Sequence, residues 1–336
     1  MRVWEIHGEF GLENLKLVER EKPRAGHGQI VIKVKAASLN YRDLLMVRGH
    51  YNPRQPLPLI PCSDGAGEVV EVGDGVAGWE VGDRAAPIFS QTWQSGEASR
   101  AKLRGTLGGP IDGMLAEYVC VSADGAVKPP NNLSDVQAAT LPCAALTAWS
   151  ALVEQGNVNP GDAVLVQGTG GVSMFALQFG VMLGARVIAT SSSDEKLERV
   201  KQLGATHTIN YKDEPNWGKV ARKLAGGDGV DHIVEVGGAN TLEQSLKAIR
   251  PGGHISMIGV LSGTRQKLDI IPILMQNIRV QGILVGHREG FIAMNRAIEA
   301  NGITPVISDT FAFDDAPEAF ELMANAGHFG KIVVEF

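Results

Sequence analysis

Apolar and polar residues alternate over most of Gln29–Ala37 (QIVIKVKAA), the spacing of a half-buried strand. Glu68–Val72 and Tyr118–Val121 are further short β-prone runs, separated by the glycine turns Gly73-Asp74-Gly75 and Val81-Gly82-Asp83. Many short strands between turns predict a compact, barrel-like β domain. The polar, glycine-rich run Ser90–Gly113 reads as a loop.

Near Asn131 the pattern changes to strands alternating with helices. Ala163–Gln167 (AVLVQ) is a short apolar strand, after which Val172, Phe175, Ala176, Phe179, Met182 and Leu183 recur at helical spacing. Arg186–Thr190 is a second strand and Asp194–Leu203 a helix. Val230–Val236 is a third strand, followed by a helix over Leu242–Ile249. Pro251-Gly252-Gly253 then breaks the chain before the strand His254–Ile258. This rhythm predicts a parallel sheet with helices on both faces and right-handed crossovers. From Gly286 the chain has two helical stretches and a last strand, Lys331–Phe336. That tail either extends the second sheet or returns to the first domain.

Length and composition narrow the function classes. The 336 residues suggest two domains, at ~100–200 residues each. Hydrophobic residues make up 44% and charged residues 20%, ordinary values for a globular chain. The formal charge is −6 with no basic arm, and aromatic residues are 6%, so nucleic acid is not an expected partner. No stretch approaches the ~20 apolar residues of a membrane helix. The N-terminal MRVWEIHGEFGLENLKLVER lacks the apolar run of a signal or transit peptide. Three scattered cysteines, Cys62, Cys120 and Cys143, make no disulfide framework, so a reducing cytoplasm is expected.

The most informative motif is Gln167-Gly168-Thr169-Gly170-Gly171-Val172-Ser173, which follows a strand and opens a helix. In such a dinucleotide-binding turn the first glycine makes the bend and the second lets the backbone approach a pyrophosphate. The helix N-terminus adds free N–H groups and a partial positive charge. The third glycine, which serves helix–strand packing, is replaced by Ser173. An NAD-binding unit usually carries Asp or Glu about 20 residues further on, against the ribose 2′-hydroxyl. Here that place holds Thr190-Ser191-Ser192-Ser193, with Lys196 close behind. Hydroxyls and a lysine suit a 2′-phosphate, so NADP(H) is the expected cofactor. Ser193 or Asp194 can also simply cap the following helix.

With these motifs in place, the chain resembles the medium-chain dehydrogenase/reductase family over nearly its whole length. The resemblance rests on Gly65-Ala66-Gly67-Glu68-Val69-Val70-Glu71-Val72-Gly73, Val81-Gly82-Asp83-Arg84, the glycine loop and Arg250-Pro251-Gly252-Gly253. It implies an α/β protein with a GroES-like β-barrel catalytic domain (1–125 and 286–336) and a Rossmann doubly wound parallel-sheet domain (126–285), with catalysis in the cleft between them. Zinc-containing members have cysteine at Asn40 and Gly-His-Glu at Cys62-Ser63-Asp64, and their third ligand aligns with Cys143. Only that last position matches, whereas a catalytic zinc needs three protein ligands. The loop Ser90–Gly113, where such members often hold a structural zinc, has no cysteine.

The resemblance is therefore to the zinc-free, NADPH-dependent quinone oxidoreductase branch. It implies that Asn40, Tyr51 and Thr147 face nicotinamide and substrate. Ser191, Ser192, Lys196 and Tyr211 would hold the 2′-phosphate side, and Gly259, Val260 and Lys331 would lie along the cofactor. Reduction of a quinone or enone puts negative charge on oxygen, and Asn40 and Tyr51 offer the N–H and O–H donors to meet it. Cys143 is a further candidate catalytic residue, with the plain alternative of a small buried apolar one. Two other functions stay open. One is an alcohol or aldehyde dehydrogenase of the same fold with an unusual metal site from Cys62, Asp64 and Cys143. The other is an NADPH-binding regulatory protein. A homodimer through Ile278–Leu284 is expected, since relatives often pair through edge strands of the Rossmann sheet.

Overall fold

The computed structural model describes all 336 residues, Met1–Phe336. Contacts divide the chain into two compact units, Met1–Leu146 with Gly286–Phe336, and Thr147–Val285. The strands β1 (Arg2–Ile6), β2 (Leu15–Glu19), β3 (Gln29–Leu39), β4 (Asp64–Val72), β5 (Arg84–Pro87), β6 (Tyr118–Ser122) and β7 (Ala126–Val127) open the first unit. The second unit holds β8 (Ala163–Gln167), β9 (Arg186–Ser191), β10 (His207–Asn210), β11 (Val230–Glu235), β12 (Ile249–Met257) and β13 (Arg279–Gly282). The strands β14 (Ile307–Ala312) and β15 (Lys331–Glu335) return to the first.

In the first unit a seven-stranded sheet runs β14-β15-β3-β4-β5-β7, with β6 on β3. The long β3 is its spine. Only Lys33 of β3 is exposed, so the strand is buried on both faces over most of its length, and Ile30, Ile32, Val34, Ala37 and Leu39 enter the core. The tail thus returns to the first unit: β15 pairs antiparallel with β3, Ile332 opposite Leu39, and β14 lies parallel to β15.

The boundary expected at 125/126 needs correction, because the first unit continues to Leu146. Val127 pairs with Ala86, Ala126 joins the first core, and Arg84 Nε donates to Asp135 at 2.8 Å. The change of pattern near Asn131 marks the start of a helical segment of the first unit, not the start of the second.

The second unit is a six-stranded, all-parallel sheet in the order β10-β9-β8-β11-β12-β13. All five residues of β8 are buried, as a central strand covered on both faces requires, which is why AVLVQ is nearly continuous apolar sequence. The chain winds outward from β8 to β10 and then restarts on the other side at β11. The strand order therefore reverses at the C-terminal ends of β8 and β11, where such sheets bind ligands. At the far edge, all four residues of β13 are exposed. No helix of either unit is long and apolar enough to cross a membrane.

His254 on β12 is only 3% exposed and lies beside His232, with ring centroids 6.2 Å apart. Burial, followed by Arg279 and His232, lowers its pKa to about 4. The unfolded chain would protonate this histidine near ~6.5. Its neutral burial therefore contributes stability that is present above pH ~6.5 and lost as pH falls toward 4. Urea unfolding should show a loss of about 2 kcal/mol across that window, and His254→Leu should flatten it. An unchanged slope in the variant would remove His254 as the cause.

Candidate functional site

The glycine turn sits where β8 ends. Gly168 has φ +70°, a conformation only glycine takes without strain, and its N–H donates to Thr190 O at 2.8 Å. No atom lies within 4 Å of the place a Cβ would occupy on Gly168 or Gly170, so the turn opens onto free space. Gly170 N-caps the helix Gly171–Met182, and the first helical bond back to it comes from Met174 N, at 3.0 Å. The amides of Gly171, Val172 and Ser173 precede that bond and are the groups a phosphate would meet. Ser173 is buried, and its hydroxyl donates to Gln167 O at 2.6 Å, so the serine ties the helix to the strand it follows. Thr169 is buried within the same turn.

The expected 2′-phosphate residues gather one strand over. Asn210 lies opposite Ser191 in the β9–β10 register, and Tyr211 N donates to Ser191 O at 3.0 Å. Ser193 caps the helix Asp194–Gln202 by accepting from Lys196 N at 3.3 Å, leaving Ser191 and Ser192 for a ligand. The Ser191 hydroxyl meanwhile accepts from Ser193 N at 3.3 Å. Burial and then Arg199 hold the Lys196 ammonium below its ordinary pKa. Thr147 is buried at the first position of the second unit.

Gly259 and Val260 follow β12, and Val260 is exposed. A Cβ on Gly259 would come within 2.1 Å of Val236 O, so this loop presses on the one after β11. Sequence reasoning missed what holds the two loops. Glu235, fully buried at the end of β11, accepts Gly237 N (2.9 Å), Gly238 N (3.0 Å) and Thr241 Oγ1 (2.6 Å) on one carboxylate oxygen. Its other oxygen accepts Gln167 Nε2 (2.8 Å) and Ser245 Oγ (2.5 Å). Its carbonyl accepts Ile258 N at 2.9 Å. One residue thus fastens the ends of β8, β11 and β12 together. A lone glutamate in a strand carries no sequence signal for this.

The remaining expected residues converge in the first unit. Asn40 precedes the helix Tyr41–Val47, and its backbone N–H donates to Asp43 at 2.8 Å. Its side-chain Oδ1 accepts from Lys331 Nζ at 2.5 Å, and Nδ2 donates to Ser63 Oγ at 3.3 Å. Ser63 donates on to Asp64 at 2.8 Å, and Cys143 N donates to the other Asp64 oxygen at 3.2 Å. Lys331 Nζ also donates to Leu39 O at 2.7 Å and lies 3.7 Å from Asp64. Two buried carboxylates, Asp43 and Asp64, therefore face two buried cations, Arg42 and Lys331, which is how buried charge is tolerated. Burial still raises the Asp43 pKa to about 6 against the pull of Arg42, and raises that of Asp64 against Lys331.

Arg42 donates to Asp43, Leu107 O and Gly109 O, and its guanidinium lies 4.8 Å from the Tyr51 ring and 5.2 Å from that of Phe89. Arg42 and Asp43 thereby link Tyr51 to the Asn40 backbone. Tyr51 itself is 43% exposed.

Two expectations change. Lys331, expected along the cofactor, is 3% exposed and bonded beneath Asn40. Cys143, a candidate catalytic residue, engages Asp64 through its backbone. Burial, and then Asp64, push its thiol up, so it stays protonated and is a poor nucleophile.

Residues 26–131 match the family model for an alcohol dehydrogenase GroES-like domain, and residues 171–300 that for a zinc-binding dehydrogenase. A zinc-type alcohol dehydrogenase-like protein of Schizosaccharomyces pombe is 45% identical, with 98% of each chain covered. A quinone oxidoreductase-like protein 2 homologue of Nematostella vectensis is 31% identical over 98% of this chain and 85% of its own. A crystal structure titled as an NAD-dependent alcohol dehydrogenase superposes with a TM-score of 0.92 at 33% identity, covering 100% of both chains.

Proposed function

The chain belongs to the medium-chain dehydrogenase/reductase superfamily, and from that premise we propose that it is an NADPH-dependent reductase of quinones, enones or related carbonyl compounds that works without catalytic zinc. It is an oxidoreductase of the alcohol dehydrogenase-like kind, and such enzymes use a nicotinamide cofactor. The observation that carries the zinc-free reading is the cluster around Asn40. Asn40, Ser63, Asp64 and Cys143 do not make the three-ligand set of a catalytic zinc, and no three His, Cys, Asp or Glu side chains gather in a metal-holding group. A buried ammonium beside Asp64 would also repel a second cation there.

The nicotinamide supplies the hydride. The glycine turn and the helix N-terminus at Gly171 would hold the dinucleotide's pyrophosphate, and Ser191, Ser192 and Lys196 would favour the 2′-phosphate. As hydride adds to the acceptor carbon, negative charge moves to oxygen. Asn40 Nδ2 and the Tyr51 hydroxyl would donate to that oxygen, and Tyr51 or water would deliver the proton. Tyr51→Phe should lower kcat about 10-fold with NADPH affinity unchanged. An unaltered kcat would remove Tyr51 from the proton path.

The reading is tested by the rate of NADPH oxidation with a simple quinone and a simple enone, with and without a strong chelator, against NADH, after subtracting the rate without enzyme. Chelator-resistant turnover that favours NADPH is expected. Loss of activity with chelator would favour a metal-dependent dehydrogenase. Preference for NADH would align the chain with the NAD-dependent structural neighbour.

Homodimerisation through the second unit belongs to the same proposal. Leu274 and Met275 are 75% and 73% exposed, and with Ile270 and Ile271 they form an apolar face beside the open edge of β13. Open edges invite pairing, and apolar patches of this kind mark interfaces. Light scattering should give twice the chain mass, and Leu274→Asp with Met275→Asp should halve it. A monomeric wild type would end this part of the proposal.

A further inference from the structure

We infer that Lys331 is a positioning residue for Asn40, fixing which side of the amide is offered to the reacting oxygen and supplying the fixed positive charge behind it. The inference rests on the reading of Asn40 as the oxyanion donor. Lys331 has only donors, so the atom of Asn40 that meets it at 2.5 Å must be the carbonyl oxygen. Rotating the amide by half a turn would set its NH2 group against an ammonium. The Nδ2 group is therefore the donor side of the amide; it rests on Ser63 at 3.3 Å and on the Asp64 carboxylate, and a reacting oxygen would compete with those acceptors for it.

The ammonium is itself held in place. It donates to Leu39 O at 2.7 Å and to Asn40 Oδ1, and the Asp64 carboxylate 3.7 Å away pairs with its charge. Lys331 sits at the start of β15, anchored by Val306 O to its own N–H at 2.9 Å, so its backbone does not wander. A cation bonded to an amide oxygen withdraws electron density from the nitrogen and strengthens its N–H as a donor. Charge that develops on the substrate oxygen would then meet a polarised N–H with a buried cation behind it. The field comes from the chain's own side chains.

The test is a double-mutant cycle between Lys331→Met and Asn40→Ala, with kcat for an enone, NADPH affinity and thermal stability read on each protein. If Lys331 acts through Asn40, K331M should lower kcat about 30-fold or more in the wild-type background and less than threefold in the N40A background, with NADPH affinity unchanged in both. A purely structural lysine would lower stability equally in both backgrounds without this dependence of kcat on Asn40. If K331M fails to fold, D64N/K331M, which removes both buried charges, takes its place in the cycle. Equal kcat losses in both backgrounds, or no loss in either, would overturn the inference. A wild-type protein that binds NADPH yet reduces neither enone nor quinone would overturn it together with the reading it rests on.

Discussion

Replacing Ser191 by aspartate is expected to weaken NADPH binding about 100-fold while leaving NADH binding equal or tighter. Two unit charges ~4 Å apart interact by about 4 kcal/mol near a protein surface, and partial solvent screening reduces that to roughly 3. Each 1.4 kcal/mol is tenfold in affinity, hence about two decades. The scaffold can take the change. Ser191 ends β9, and its hydroxyl already accepts from Ser193 N, a bond a carboxylate would also accept. The new oxygen would also be suited to a ribose 2′-hydroxyl. Fluorescence titration with both cofactors gives the ratio directly. A variant that still prefers NADPH would mean that the 2′-phosphate is held elsewhere.

Glu235→Ala is expected to be the most destabilising single change in the second unit, by about 4 kcal/mol. It would leave the Gly238 N–H and the Ser245 hydroxyl without their acceptor, and would leave Gly237, Gln167 and Thr241 only their second, weaker or shared partners. Each unmet buried donor costs ~1–3 kcal/mol, moderated where water can enter. Glu235→Gln keeps the shape but turns an NH2 group on two of those donors, and should cost about half as much. Because Gln167 leads into Gly168, both variants should also loosen NADPH binding, whereas a core truncation of similar cost far from the strand ends should not. Urea unfolding and cofactor titration check the two parts. A loss below ~1 kcal/mol for Glu235→Ala would show that the network is not integral to the fold.

Elements buried on both faces were legible from the chain. The strand Ala163–Gln167 was read with its observed ends, because a central parallel strand reads as a nearly continuous apolar run. The helix after Ser193 was read because a cap and an amphipathic run coincide. By contrast β13, with the sequence RVQG and every residue exposed, was placed within Ile278–Leu284 only by the resemblance, and is a strand because it pairs with β12. The serines at the end of β9 were legible as a strand end because they directly follow its apolar run. The Asn40 cluster was not. Lys331 meets Asn40 across 291 positions of chain, and no spacing rule connects them. The resemblance supplied Asn40 and Cys143 as positions but not the bonds that tie the side chain of one and the backbone of the other to their neighbours.

The return of β15 to the first unit also sets an order of events at the ribosome. Residues 147–285 are contiguous and have their own core, so the second unit can fold once they emerge. The first unit cannot finish until residues 331–335 have emerged, because β15 lies between β14 and β3 inside its sheet. At ~5–20 residues per second, Asp64 is made many seconds before its lysine. Until Lys331 arrives, that carboxylate has no buried cation to pair with and stays in water. Closure of the Asn40 cluster therefore comes after the second unit can fold, and a chain cut before Lys331 would carry a folded second unit with an unclosed first one.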